Sequence, residues 1–255
     1  MTKLLALIAP VLLILAQSGS LHASSIKDLP VTSIQYEPTT KRLSIKVVNE
    51  GPEIITAFGL NVDVQVDEAR HYTVGSVEDV LNVVISNRLT KRDPTSWIGA
   101  IQPGGVYTNT IQLNLEDGVV PRFRATVTGI VYSSGNTVAT DPQTVQTILN
   151  LRQSSMRSIE AIQHVVQDAG VNGRVLDRVD SIQDSLRALH DRAENEQNSA
   201  NALNPLIIEL AIGDFENIRR SSDSDGQFQM FMQNLQFRHE HLKPHLTISQ
   251  ESQTK

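Results

Sequence analysis

Cysteine is absent from all 255 residues. That excludes disulfide staples, a thiol nucleophile, a cysteine zinc site and a lipid anchor carried on cysteine, and it leaves stability to the apolar core. Basic runs are missing too. Lysine and arginine number 22 against 28 aspartates and glutamates, a formal net charge of -6. No stripe interleaves basic with aromatic residues, so nucleic acid is not an expected partner. Aromatics make up only 4% of the chain and include a single tryptophan, Trp97, so an aromatic binding surface has few residues to draw on. Neither a Gly-x-Ser-x-Gly elbow nor a His-Glu-x-x-His helix occurs, and no glycine-rich phosphate cradle is present. No enzyme activity, cofactor or metal is therefore expected. The alternative is an extracytoplasmic hydrolase whose site leaves no linear motif.

Long apolar runs are equally scarce, with one exception. Lys3 precedes the uncharged stretch LLALIAPVLLILA (residues 4–16), and the small and polar segment QSGSLHA follows up to Ala23. A membrane-spanning helix needs about 20 apolar residues, so this run reads as a secretory signal with cleavage near Ala23, an uncleaved anchor being its rival. The mature chain is expected in the periplasm or outside the cell, with no stable membrane insertion.

What is present divides at VYSSGNTVATDPQTV (residues 131–145). Before it, short segments alternate. In RLSIKVVN, Leu43, Ile45 and Val47 interleave with Ser44 and Lys46; in IITAFGLNVDVQV, Leu60, Val62, Val64 and Val66 share one face. TSIQYE, IQPGGVYTNTIQLNL and RFRATVTGIVY read the same way, with Phe123, Ala125, Val127 and Gly129 assigned to one side, and Pro103-Gly104 fits the centre of a type II turn. Such spacing predicts an antiparallel β-sandwich. LSIKVVNEGPEIITAFGLNVDV followed by IQPGGVYTNTIQLNL resembles secreted bacterial Ig-like modules of the CARDB or FxLYD type, over residues 31–135. The resemblance implies an Ig-like fold and an extracytoplasmic interaction role, and it carries over no catalytic residue.

Between these strands, Ser76 is placed to cap a short helix with Glu78 and Asp79 in its first turn and Val80, Leu81, Val84, Ile85 and Leu89 at helical spacing. A strand through VLNVVIS is the alternative. Trp97, beside Lys91 and Arg92, is a core residue on the ordinary reading and a partner-binding candidate on the sharper one.

After residue 141 the period becomes helical. Asp141 and Pro142 form a start signal, Gly135 and Asn136 suit a hairpin turn, and Gly170 suits a left-handed helix end. Val175, Val179, Ile182, Leu186, Leu189 and Ala193 step by four and three, the spacing of a helix packed on a partner helix. Leu186 and Leu189 are accordingly candidate contacts to a protein partner or a second copy. Pro205 opens a third helix, and a fourth runs towards Pro244. Asp223, Asp225 and Gly226 imitate a calcium loop, but the alignment puts Ser221 at the first ligand and Met232 at the bidentate glutamate position, so a capped turn is expected. His239, His241 and His245 read as a solvated helix end rather than a metal site.

The expected organisation is α+β: a signal peptide over residues 1–23, an Ig-like antiparallel β-sandwich over 24–140, an all-helical region over 141–245 (a hairpin or small bundle) and a disordered tail over 246–255. The expected function is an exported, non-enzymatic interaction or scaffold protein. A periplasmic assembly or chaperone-like factor is a further alternative.

Overall fold

A computed structural model describes residues 26–81, 100–116, 118–170, 174–196 and 201–247. Seven strands come first: β1 (Val31–Glu37), β2 (Arg42–Val48), β3 (Ile55–Gln65), β4 (His71–Asp79), β5 (Val106–Gln112), β6 (Arg122–Tyr132) and β7 (Thr137–Ala139). Four helices follow: α1 (Pro142–Asp168), α2 (Val179–Asn195), α3 (Pro205–Arg220) and α4 (Ser224–Leu242). The strands form two antiparallel sheets, ordered β1-β2-β5 and β4-β3-β6-β7.

The alternation in β2 and β3 builds the core between the sheets. Leu43, Ile45 and Val47 meet Phe58, Leu60, Val62 and Val64 in one cluster, with Tyr36 against Phe123 and Phe58 edge-on to Tyr107 across the gap. Asn49 ends β2 by using its side chain as three backbone partners. Its Nδ2 donates to the carbonyls of Glu53 and Ile101, both at 2.8 Å, while its Oδ1 accepts from Gly51 N at 3.0 Å. A buried amide with its bonds met in this way ties the β2–β3 loop to the segment before β5.

β3 and β6 change character half-way. The Asn61–Gln65 end of β3 alternates exposed and buried, whereas its first six residues are all buried, as are the last six of β6. The packing of α1 on the outer face buries the second side, and two bulges, at Thr56 and at Thr128, where one strand carries an extra residue, shift which residues face inward. The Thr128 bulge corrects the sequence reading of β6. Phe123, Ala125 and Val127 face the inter-sheet core, but Gly129 turns outward towards α1, and Ile130 and Tyr132 take over the inner face.

α1 covers that outer face. Asp141 Oδ1 accepts from Gln143 N at 3.0 Å and Pro142 occupies the first turn, so the start signal operates as expected. Gly135 takes the hairpin's positive φ of 87°, while Asn136 does not. Close approach of helix to sheet depends on two glycines. A Cβ at Gly59 would overlap Thr144 Cγ2, and one at Gly129 would lie 3.0 Å from the same atom.

Helix α1 has 27 residues, about 40 Å at 1.5 Å per residue. Its first half (Thr144, Ile148, Arg152) is buried on the sheet, and its second half (Met156, Ile159, Ile162, Val166) is buried in the helical core. Gly170, at φ 82°, ends it. Three further helices complete that core, with α3 touching each of the others. Serines on α1 let α3 begin there: Ser158 Oγ accepts from Asn204 N at 2.7 Å, Ser155 Oγ accepts from Asn204 Nδ2 at 3.1 Å, and Asn204 Oδ1 caps Leu206 N.

Two expectations are corrected. Ser76, Glu78 and Asp79 belong to strand β4, paired with β3 through Leu60, Phe58 and Ala57, and not to a helix start. Leu246, expected within a disordered tail over 246–255, packs instead against the helical core. The expected signal segment and residues 82–99 lie outside the described residues.

Candidate functional site

One buried polar cluster of this chain lies where α1 crosses the sheet. Arg152 sits in the middle of α1's apolar stripe and is 1% exposed. Its Nε donates to Asp79 Oδ2 at 2.8 Å, one Nη to Asp79 Oδ1 at 3.1 Å and to Thr56 Oγ1 at 3.0 Å, and the other to the His245 carbonyl at 3.5 Å. Thr56 passes its own proton to the Val131 carbonyl at 3.1 Å. One guanidinium thus joins β3, the end of β4, α1 and the C-terminal turn. A second contact, Thr128 Oγ1 to Thr144 Oγ1 at 2.9 Å, lies about two helical turns away. A bidentate pair with no solvent around it is geometrically specific, and removing one partner leaves an uncompensated charge at a cost of about 3–5 kcal/mol. This arrangement holds elements together. It leaves no open position for a reacting atom.

A second polar cluster bridges the two sheets at their open edge. Glu78 accepts from Ser76 Oγ (3.0 Å), Asn109 Nδ2 (2.8 Å) and Tyr107 OH (3.1 Å). Burial, and then the Glu78 carboxylate, push the Tyr107 phenol up to about 12. Tyr132 moves in the same direction for like reasons: it is buried and donates to Asp28 Oδ2 at 2.7 Å.

Among the described residues, two surface clefts can be named. One, of about 460 Å³, lies at the end of the sheets among Arg70, His71, Tyr72, Asn114 and Glu116. Its Arg70 bonds Asp67 at 2.6 Å and stands 3.7 Å from Glu116, in exposed pairs of little energetic weight. The other, of about 400 Å³, runs between α2 and α3.

The sequence-flagged residues do not come together. Leu186 is fully buried and Leu189 is 8% exposed, both inside the helical core against α3, so the stripe they belong to is covered within the chain. Trp97 lies outside the described residues. Asp223 caps α4 through Gly226 N at 3.1 Å and Asp225 accepts from Val175 N at 3.1 Å, which uses both as structural acceptors. The three histidines separate: His239 Nε2 faces Glu160 at 3.5 Å, His241 stacks on Phe237, and His245 packs by Arg152. Among the described residues no group of three or more histidines, aspartates or glutamates converges as metal ligands. Sequence reasoning passed over Arg152, although a signal existed. It lies four residues from both Ile148 and Met156, and a charge on an apolar stripe marks a buried partner.

No family model, curated protein or solved structure matches this chain. Its function is therefore argued from its own residues.

Proposed function

We propose that this is an exported, non-enzymatic scaffold or interaction protein, in which an Ig-like β-sandwich of the CARDB or FxLYD type carries a helical region that engages a protein partner or a second copy of the chain. The observation that carries this reading is the placement of Arg152, Asp79 and Thr56. These buried groups join sheet to helices. With Leu186 and Leu189 covered, partner contacts fall to apolar side chains left outside, such as Leu176 (43% exposed) and Leu206 (50% exposed). Export draws support from the apolar run at residues 4–16 and from the packing of Ile26 and Leu29, which a cleavage near Ala23 leaves intact.

The second reading, an extracytoplasmic hydrolase, has one observation in its favour: Glu78 holds two hydroxyls and an amide at the edge between the sheets. One preparation tests both readings. Expression of the full chain in a secreting bacterial host, followed by fractionation and N-terminal sequencing, is expected to give an exported product starting just after Ala23. It is also expected to show no turnover of ester, peptide or glycoside substrates. Residues 1–23 retained on a cytosolic product overturn the export reading, and turnover abolished by Glu78→Gln overturns the non-enzymatic one.

A further inference from the structure

The groove between α2 and α3 has a composition unlike that of the rest of this acidic chain. Its lining is Gln183 and Arg187 from α2 with Glu216, Arg219 and Arg220 from the last turns of α3, three guanidiniums with Glu216 and the adjacent Asp184 and Asp180 as their carboxylate partners. Gln183 and Arg187 are four residues apart and so lie on one face of their helix. The two arginines that end α3 offset the partial negative charge of that helix terminus. Each guanidinium is held only at the surface. Arg187 meets Asp184 at 3.1 Å and Arg219 meets Asp180 at 3.1 Å, while Arg220 stands 4.0 Å from Glu216, all with half or more of the arginine side chain in solvent. Exposed pairs of this kind exchange partners at little cost.

Beneath them lies Gln183. Its side chain is 1% exposed, and its amide Nε2 has no hydrogen-bond partner. Buried amides in folded proteins almost always have their donors met, so an unmet one bordering an arginine-lined groove is a donor waiting for an acceptor.

We infer that this groove is a binding site for a small oxyanion carrying two or more negative charges. The chemistry fits either a phosphate group or a polycarboxylate. Guanidinium forks accept both in paired hydrogen bonds, and an amide N–H adds a directional donor that a surface charge lacks. This inference is independent of the scaffold reading, since an oxyanion site serves an enzyme and a binding protein alike.

The test is a titration of the purified protein, followed by NMR of the glutamine amide and arginine Nε–H signals. Inorganic phosphate and citrate are the two arms, with sodium chloride at matched ionic strength as control. The expected result is saturable movement of the Gln183 amide and of Arg187 and Arg219 with one or both ligands, with binding weakened at least tenfold in Arg187→Gln/Arg219→Gln. Gln183→Leu, which keeps the apolar packing and all three arginines, is expected to weaken binding several-fold while the protein stays folded. Phosphate alone binding assigns the site to phosphate-bearing ligands, and citrate alone to carboxylates. Shifts that follow ionic strength equally in parent and variants overturn the proposal, as does saturable binding that leaves the Gln183 amide unmoved. An acidic peptide that binds where neither small anion does also overturns it.

Discussion

Arg152 is the residue on which most of the tertiary structure turns. Its guanidinium reaches Asp79, Thr56 and the His245 carbonyl from one helix position. Deleting it takes the bidentate partner from the buried Asp79 carboxylate, so Arg152→Ala is expected to lower stability by about 3–5 kcal/mol in urea titration. Replacing both partners together, Arg152→Met with Asp79→Leu, is expected to cost less than the two single changes summed, because no lone charge then remains. An additive cycle would mean that the pair is not coupled. At the inter-sheet edge, pH reports on a different residue. The Tyr107 phenol has a folded-state pKa of about 12 against an ordinary 10.0, so the native state holds that proton more tightly than the unfolded chain does. Its contribution is complete below about pH 10 and is lost as pH rises from there to about 12. Stability measured across that window is expected to fall, and Tyr107→Phe to fall less steeply. Equal slopes for parent and variant would show that the phenol has no raised pKa.

At the scale of elements, what the sequence reveals depends on whether an element carries its own pattern. β2, β3 and β6 alternate strongly and were visible, as were the starts of α1 and α3, where Asp141–Pro142 and Asn204–Pro205 set cap and first turn side by side. β4 was not. Its outward residues His71, Thr73 and Gly75 and its inward Ser76 and Glu78 give no apolar period, and its pairing with β3 is a property of the partner strand. The bulges at Thr56 and Thr128 were hidden for the same reason, because an extra residue is defined only against the strand opposite. The stripe of α2 was legible, but its destination was not, since a spacing of four and three fits a helix of the same chain or of another one equally. The fold resolves this in favour of α3, and a prediction follows for Leu186. With its side chain fully buried in the helical core, Leu186→Asp combines the loss of a packed leucine with a buried charge, and the helical signal in far-UV circular dichroism is expected to collapse. A folded variant whose only defect is the loss of self-association would place Leu186 on an intermolecular surface instead.

Over the whole molecule, α1 removes the boundary that the change of pattern near residue 141 suggests. The strands end there, but the packing does not: the first half of α1 belongs to the sheets and the second half to the helices, with Arg152 between them. A continuous helix of about 40 Å shared by two cores transmits orientation from one to the other, which is what a scaffold requires. The oxyanion groove, on the α2–α3 side, is then held at a fixed place relative to the sheets. Among the described residues no helix is long and apolar enough to cross a membrane.

Native-state hydrogen exchange, read by mass spectrometry in rising denaturant, tests this shared helix most directly. If α1 locks sheets and helices into one body, then the amides of residues 55–60 in β3, 127–132 in β6 and 148–162 in α1 open with the same free energy, and Arg152→Ala lowers all three together. Should α1 exchange at a much lower free energy than β3 and β6 in the parent protein, the two cores move independently and the single-scaffold account is contradicted.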